Sequence, residues 1–240
     1  MRVLGIVTAR GGSKGIPRKN LADLGGRPLL AWTAEAAKKS RRLTRTVLST
    51  EDAEIAEVGR QVGLEVPFLR PSFLAEDNTP TLPVLQDVVK RLEAEGQCYD
   101  AVCLLQPTSP FRSDKDIDGC IEMLETCGAD AVVTVRVVPT EYNPHWTYFM
   151  NEHGMLRLST GEGTPIARRQ QLPLAYHRDG SIYITRRDVL VVSGSLYGER
   201  LAGYLVYGAR QVNIDRPADL ERARALAASL CLSPSERPTV

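Results

Sequence analysis

The feature that most constrains this chain is the regular alternation of short apolar runs with amphipathic stretches through its first 136 residues. That alternation is the pattern of βαβ units laid around a parallel sheet. Val3 to Ala9 reads as the first strand, and Pro28 opens a helix to about Lys39 that turns Leu29, Leu30, Thr33, Ala36 and Ala37 to one side. Thr46 to Ser49 reads as a second strand. Ser49 with Asp52 has the spacing of a capping box, and Ile55, Val58 and Val62 face inward along the helix that follows. Val66 to Leu69 is expected as a short strand near an edge, because Pro67 lacks a backbone donor. A polar loop from Arg70 to Pro80 then leads to a helix over Thr81 to Ala94, a buried strand over Asp100 to Leu105, a helix capped by Ser113 and Asp116, and a strand over Ala131 to Val135.

In open α/β sheets ligands bind at the carboxyl ends of the strands, so the residues just past each strand carry the functional information. The first turn, Ala9-Arg10-Gly11-Gly12-Ser13-Lys14-Gly15, leads through Pro17, Arg18, Lys19 and Asn20. Its glycines are expected to take backbone angles closed to other residues, so that successive N–H groups converge on an anion beside Arg10, Lys14, Arg18 and Lys19. The spacing is neither Walker A nor the dinucleotide fingerprint, which disfavours a P-loop kinase and a nicotinamide dehydrogenase. Arg70, Gln106-Pro107-Thr108-Ser109-Pro110 and Asp215 follow later strands. A core has no use for such residues at these ends, whereas a shared polar pocket does.

After Val138 the periodicity is lost. Residues 139–173 hold Tyr142, Trp146, Tyr148 and Phe149, which a solvated linker would not carry, so an insertion serving as a β-arm or dimerisation element is expected. The α/β pattern resumes with a strand over Ser181 to Thr185, one or two strands over Leu205 to Ile214 and a helix over Pro217 to Ser229. The expected organisation is one domain over residues 1–230 containing the insertion at 139–173, with 231–240 as a flexible tail.

Composition sets the outer limits. A chain of 240 residues, 43% of them hydrophobic, builds a substantial core, and a net charge of +1 provides no global field to draw nucleic acid or an anionic membrane. No secretory leader or apolar stretch of about 18 residues is evident, so a cytoplasmic protein without membrane or nucleic-acid partners is expected. Cys98, Cys103, Cys120, Cys127 and Cys231 form no C-x-x-C pair, and His145, His153 and His177 lack zinc-site spacing. A metal, if used, is expected to be a hard ion on carboxylates.

The first turn with Lys19-Asn20, then Leu104-Leu105-Gln106-Pro107-Thr108-Ser109-Pro110, then Arg169-Gln170-Gln171-Leu172-Pro173 with Gly180-Ser181-Ile182-Tyr183, and finally Asn213-Ile214-Asp215, together resemble the acylneuraminate cytidylyltransferases, the CMP-sialic acid synthetases. The four motifs stand in order from about Val3 to Leu226. The resemblance implies a Rossmann-like nucleotidyltransferase domain with a mainly parallel sheet. It also implies Mg²⁺-dependent transfer of CMP from CTP to the anomeric hydroxyl of a nonulosonic acid, releasing pyrophosphate, in a homodimer whose insertion caps the partner's site.

By position, the resemblance assigns Arg10, Gly11, Gly12, Ser13, Lys14, Lys19, Asn20, Arg70 and Thr108 to the nucleotide. Gln106, Arg169, Tyr183 and Trp146 fall to the sugar acid, Asp215 and Asn213 to the metal, and Arg10, Lys19 and Asp215 to catalysis. Trp146 and Arg169 would act in trans. Physics supports the phosphate contacts, since Arg and Lys neutralise charge developing on a leaving pyrophosphate, and a guanidinium is the natural bidentate partner of the sugar carboxylate.

Two positions depart from the family pattern. Asn213 stands where an aspartate is common and cannot accept a proton, which weakens a general-base role there. Trp146 stands near where sialic acid enzymes can carry a lysine, which points to another nonulosonic acid, such as a legionaminic or deaminated sugar. The alternatives are a cytidylyltransferase for an eight-carbon keto sugar acid, another sugar nucleotidyltransferase, or a catalytically silent nucleotide-binding regulatory subunit.

Overall fold

The computed structural model describes residues 1–207 and 212–231. Its centre is a six-stranded sheet built from β1 (Val3–Thr8), β2 (Arg45–Ser49), β3 (Ala101–Leu105), β4 (Ala131–Val137), β7 (Tyr176–Arg186) and β8 (Leu201–Leu205), in the order β2-β1-β3-β7-β4-β8. Only β7 runs antiparallel to its neighbours; the other pairings are parallel. A separate two-stranded ribbon, β5 (Tyr148–Met150) and β6 (Leu156–Leu158), lies within residues 139–173.

The two-residue period of the strands sorts the core into opposite layers. Val3, Val7, Ala101, Cys103 and Leu105 face one cluster, which α1 (Leu29–Lys39), α2 (Ala53–Gln61) and α4 (Asp114–Thr126) complete through Leu30, Ile55 and Ile117. Leu4, Ile6, Val102 and Leu104 face the other, against α3 (Thr81–Ala94) and the short α5 (Arg187–Val191). The central strands β1 and β3 are therefore apolar on both faces, as a sheet covered on both sides requires. A third cluster joins α6 (Pro217–Cys231) to the segment after β1 through Ile16, Leu24, Ile214, Leu220 and Ala223.

Several expectations are met closely. Ser113 caps α4 in a complete capping box with Asp116, and α3 begins and ends where its helical spacing predicts. Others are corrected. Asp52 alone caps α2, accepting from the N–H groups of Glu54 and Ile55, while Ser49 closes β2. Val66 to Leu69 forms no strand: Val47 and Glu65 make an isolated bridge, and Pro67 has no N–H to extend it. β7 is eleven residues long, starting at Tyr176, because its first residues pair with Val135 to Val137 of β4 before β3 joins on the other side at Ile182. The strand after it spans Leu201–Leu205, not Leu205 to Ile214; residues 208–211 lie outside the described residues, as do 232–240 of the expected tail, whereas Cys231 ends α6.

Candidate active site

At the carboxyl ends of β1 and β3 lies a cavity of about 430 Å³, lined by Arg10, Ser13, Lys19, Asn20, Arg70, Asp77, Gln106, Thr108, Asn213 and Asp215 among others. Residues from four distant parts of the chain meet here because β1 and β3 pair in register and Asn213 and Asp215 lie beside their ends. Ile214 donates its N–H to the Thr108 carbonyl at 2.8 Å, and Lys19 Nζ donates to the Ile214 carbonyl at 2.7 Å and to Asp215 Oδ1 at 3.2 Å. Asn20 Nδ2 binds the Arg10 carbonyl at 3.0 Å, which closes the first turn on itself.

The first turn is built differently from its expected form. None of Gly11, Gly12 and Gly15 has positive φ; that conformation belongs to Arg18, at φ 54°. Gly11 and Gly15 are required for space, since a Cβ at Gly11 would strike the Asp52 carboxylate and one at Gly15 the Asp215 carbonyl. The Gly11 N–H donates to Glu51 Oε1 at 2.7 Å, and Arg18 is bound by Asp52 and Glu54. The carboxylates after β2 thus order the turn from behind, and the Arg18 guanidinium holds the Asp52 carboxyl below its ordinary range.

Four positive side chains face or border the cavity, each with a different constraint. Arg10 and Lys14 both grip Asp77, at 2.9 and 2.7 Å, and the Lys14 contact leads in lowering the Asp77 carboxyl. Arg70 is buried, bonded through Nε to Ser49 Oγ at 3.0 Å and to the Ser49 carbonyl, and desolvation lowers its pKa. Lys19 completes the set. Arg10 and Lys14, gathered on one carboxylate beside Arg70 and Lys19, make this side of the cavity suited to an anion.

A second cavity of about 270 Å³ adjoins the first, and Asn213 lines both. Its walls include Ser109, Arg112, Arg136, His177, Arg178, Asp179 and Ser181. Asp179, the carboxylate among these lining residues, accepts bonds from Thr134, from the Ser181 hydroxyl and from the Ser181 N–H.

The structure does not bring every expected site residue together. Tyr183 is buried in the α3-side core and meets Tyr197 edge-on at 6.3 Å, outside both cavities; on β7 it alternates with Ile182 and Ile184, which face the opposite layer. Trp146 donates Nε1 to the Ile166 carbonyl at 2.6 Å, and Arg169 is exposed with Thr140 Oγ1 at 3.4 Å; both lie within residues 139–173, away from the cavities of their own chain. Gly12 and Lys14 do not line the first cavity, and Gly11 stands behind it.

Four participants escaped the sequence reading. Glu51 and Asp52 directly follow a strand, the same signal that marked Arg10 and Gln106. Arg112, two residues past the Pro107–Pro110 turn, and Asp77, inside a loop, gave no comparable signal.

Residues 4–232 match the family described as Cytidylyltransferase. The chain is 33% identical over 221 residues to the CMP-N,N'-diacetyllegionaminic acid synthase of Legionella pneumophila, covering 91% of this chain and 93% of that protein. It is 30% identical over 226 residues to the pseudaminic acid cytidylyltransferase of Campylobacter jejuni, covering 94% and 96%. The fold resembles that of a CMP:2-keto-3-deoxy-manno-octonic acid synthetase solved with CTP, at a TM-score of 0.73 and 20% identity, covering 95% of this chain and 99% of that one.

Proposed function

The chain belongs to the cytidylyltransferase family, and from that premise we propose that it transfers CMP from CTP to the anomeric hydroxyl of a nine-carbon nonulosonic acid, releasing pyrophosphate. The observation that carries this reading is the pair of cavities joined at Asn213, one gathering cations for a triphosphate and one offering Arg112, Arg136, Arg178 and His177 to an anionic acceptor. The acceptor hydroxyl attacks the α-phosphorus at the junction; a new O–P bond forms as the bond to pyrophosphate breaks, and the hydroxyl proton is released to solvent. Arg10, Lys14 and Lys19 neutralise the charge on the leaving group, and the triphosphate takes the place of Asp77.

The oxygen-only donors at Asp215 and Asn213 fit a magnesium ion, which is commonly held by one or two carboxylates with the substrate's phosphates supplying further ligands. Asp215 is accessible in the cavity, and Asn213 Nδ2 donates to Asp215 Oδ2 at 3.1 Å, leaving its carbonyl oxygen for the ion. When bound, Mg²⁺ would offset phosphate charge. Asn213 supplies a ligand and no base.

We read residues 139–173 as the dimerisation element. Tyr142, Phe149, Met150, Met155 and Leu156 are each more than 60% exposed, a concentration of apolar surface that a second copy would cover. Trp146 and Arg169 would then reach the partner's acceptor cavity. A CTP-consuming synthesis of this kind fits a cytoplasmic enzyme.

The test is turnover with CTP and Mg²⁺ across a panel of 2-keto sugar acids, scored by pyrophosphate release and by isolation of the CMP-sugar. Turnover with a nine-carbon acid, legionaminic-type sugars included, is expected. Activity confined to eight-carbon acids would overturn the acceptor class.

A further inference from the structure

Ser109 and Arg112 stand out in the second cavity because both are buried, Ser109 with an unpartnered hydroxyl and Arg112 with only neutral hydrogen-bond partners. Ser109 is 7% exposed, lines the cavity, and its Oγ has no hydrogen-bond partner among the described residues. A buried hydroxyl without a partner is costly in a folded chain and calls for a compensating role. Gly180 stands over it: a Cβ there would lie 3.9 Å from both Ser109 Oγ and Gln106 Oε1, and any longer side chain would begin to cover them.

Arg112 is 5% exposed and lines the same cavity. Its Nε donates to the Ser181 carbonyl at 3.0 Å, one terminal nitrogen to Thr33 Oγ1 at 2.7 Å, and the other to the Gln106 carbonyl. All three partners are neutral, and no carboxylate pairs with it among the described residues; burial lowers its pKa to about 10. The Gln106 carbonyl also accepts the Ser109 N–H at 3.2 Å, so Arg112 clamps the turn that carries Ser109 and ties it to β7.

We propose that Ser109 is a binding residue for the acceptor, hydrogen-bonding a hydroxyl or carboxylate oxygen of the sugar acid, and that Arg112 is the positioning residue that presents it. The proposal rests on reading the second cavity as the acceptor side. It accounts for a cation hydrogen-bonded only to neutral groups at the wall of that cavity, on which Asp179 and Asp116 act without direct contact.

Steady-state kinetics of Ser109→Ala, with the best acceptor found for the wild type, separates binding from scaffolding. Acceptor kcat/KM is expected to fall about tenfold, the order of one hydrogen bond, while KM for CTP stays within about twofold. Thermal stability should hold or rise, since the variant removes an unpartnered polar atom. Unchanged acceptor kcat/KM, or a lower Tm with both KM values raised alike, would overturn the binding role.

Arg112→Lys keeps the charge but cannot span three acceptors. It should lower acceptor kcat/KM in the wild type and by much less in the Ser109→Ala background; additive losses would refute the positioning role. If that variant does not fold, Thr33→Val, which removes one anchor, enters the same cycle. A wild type that binds CTP but turns over no nine-carbon acid would refute the function itself, whereas an active wild type with an indifferent Ser109→Ala refutes this inference alone.

Discussion

Lys19 ties the segment bearing Asp215 to the first turn, since one ammonium spans the Ile214 carbonyl and Asp215 at the wall of the first cavity. Lys19→Met is expected to lower kcat/KM for CTP by about two orders of magnitude, and Lys19→Arg to recover part of it, in pyrophosphate-release assays. Asp52 works at the same scale on stability. Arg18 depresses its carboxyl pKa, so the stabilisation is present above the unfolded-state value of about 3.9 and is lost as pH falls through the folded-state value. Tm of the wild type should therefore drop more steeply than that of Asp52→Asn in acid. At neutral pH, Asp52→Ala should cost about 1 kcal/mol through the lost helix cap, read by denaturant unfolding.

At the scale of elements, the loop from Arg70 to Pro80 is tied to the first turn beside the first cavity by Asp77, which occupies Arg10 and Lys14, two of the three cations proposed for the triphosphate. Asp77→Asn should lower KM for CTP several-fold, with the greatest gain at low ionic strength where the ion pairs are least screened. An unchanged KM across a salt titration would mean that the contact does not compete with nucleotide. The long β7 has a different part: by pairing with both β3 and β4 it brings Asp179 and Ser181 beside the turn that bears Ser109. Its length was hidden in the sequence because the residues from Tyr176 to Gly180 are mostly exposed and lack the apolar alternation that marked Ser181 to Thr185.

For the whole molecule, the proposed trans contribution predicts complementation. Arg169→Ala and Asp215→Ala proteins, each impaired alone, should regain activity when subunits exchange, because one of the two mixed sites is intact; verified heterodimers without recovery would exclude it. The helices and most central strands were legible in the sequence, since periods of 3.6 and 2 record which faces are buried, and the strand-end rule located Arg10 and Gln106, whereas Asp215 stands ten residues beyond β8 rather than at a strand end. Why Gly11 and Gly15 must be glycine was not legible: the atoms that exclude a side chain there belong to Asp52 and Asp215, 41 and 200 residues away. The same holds for Arg112, whose three acceptors come from α1, the turn after β3, and β7. By itself the sequence determined the α/β architecture and the polar strand ends, because both arise from local periodicity and residue chemistry. Only the tertiary structure decided that Tyr183 is core, that Asp77 occupies the cations, and that two cavities meet at Asn213, because those outcomes depend on contacts between residues far apart in the chain.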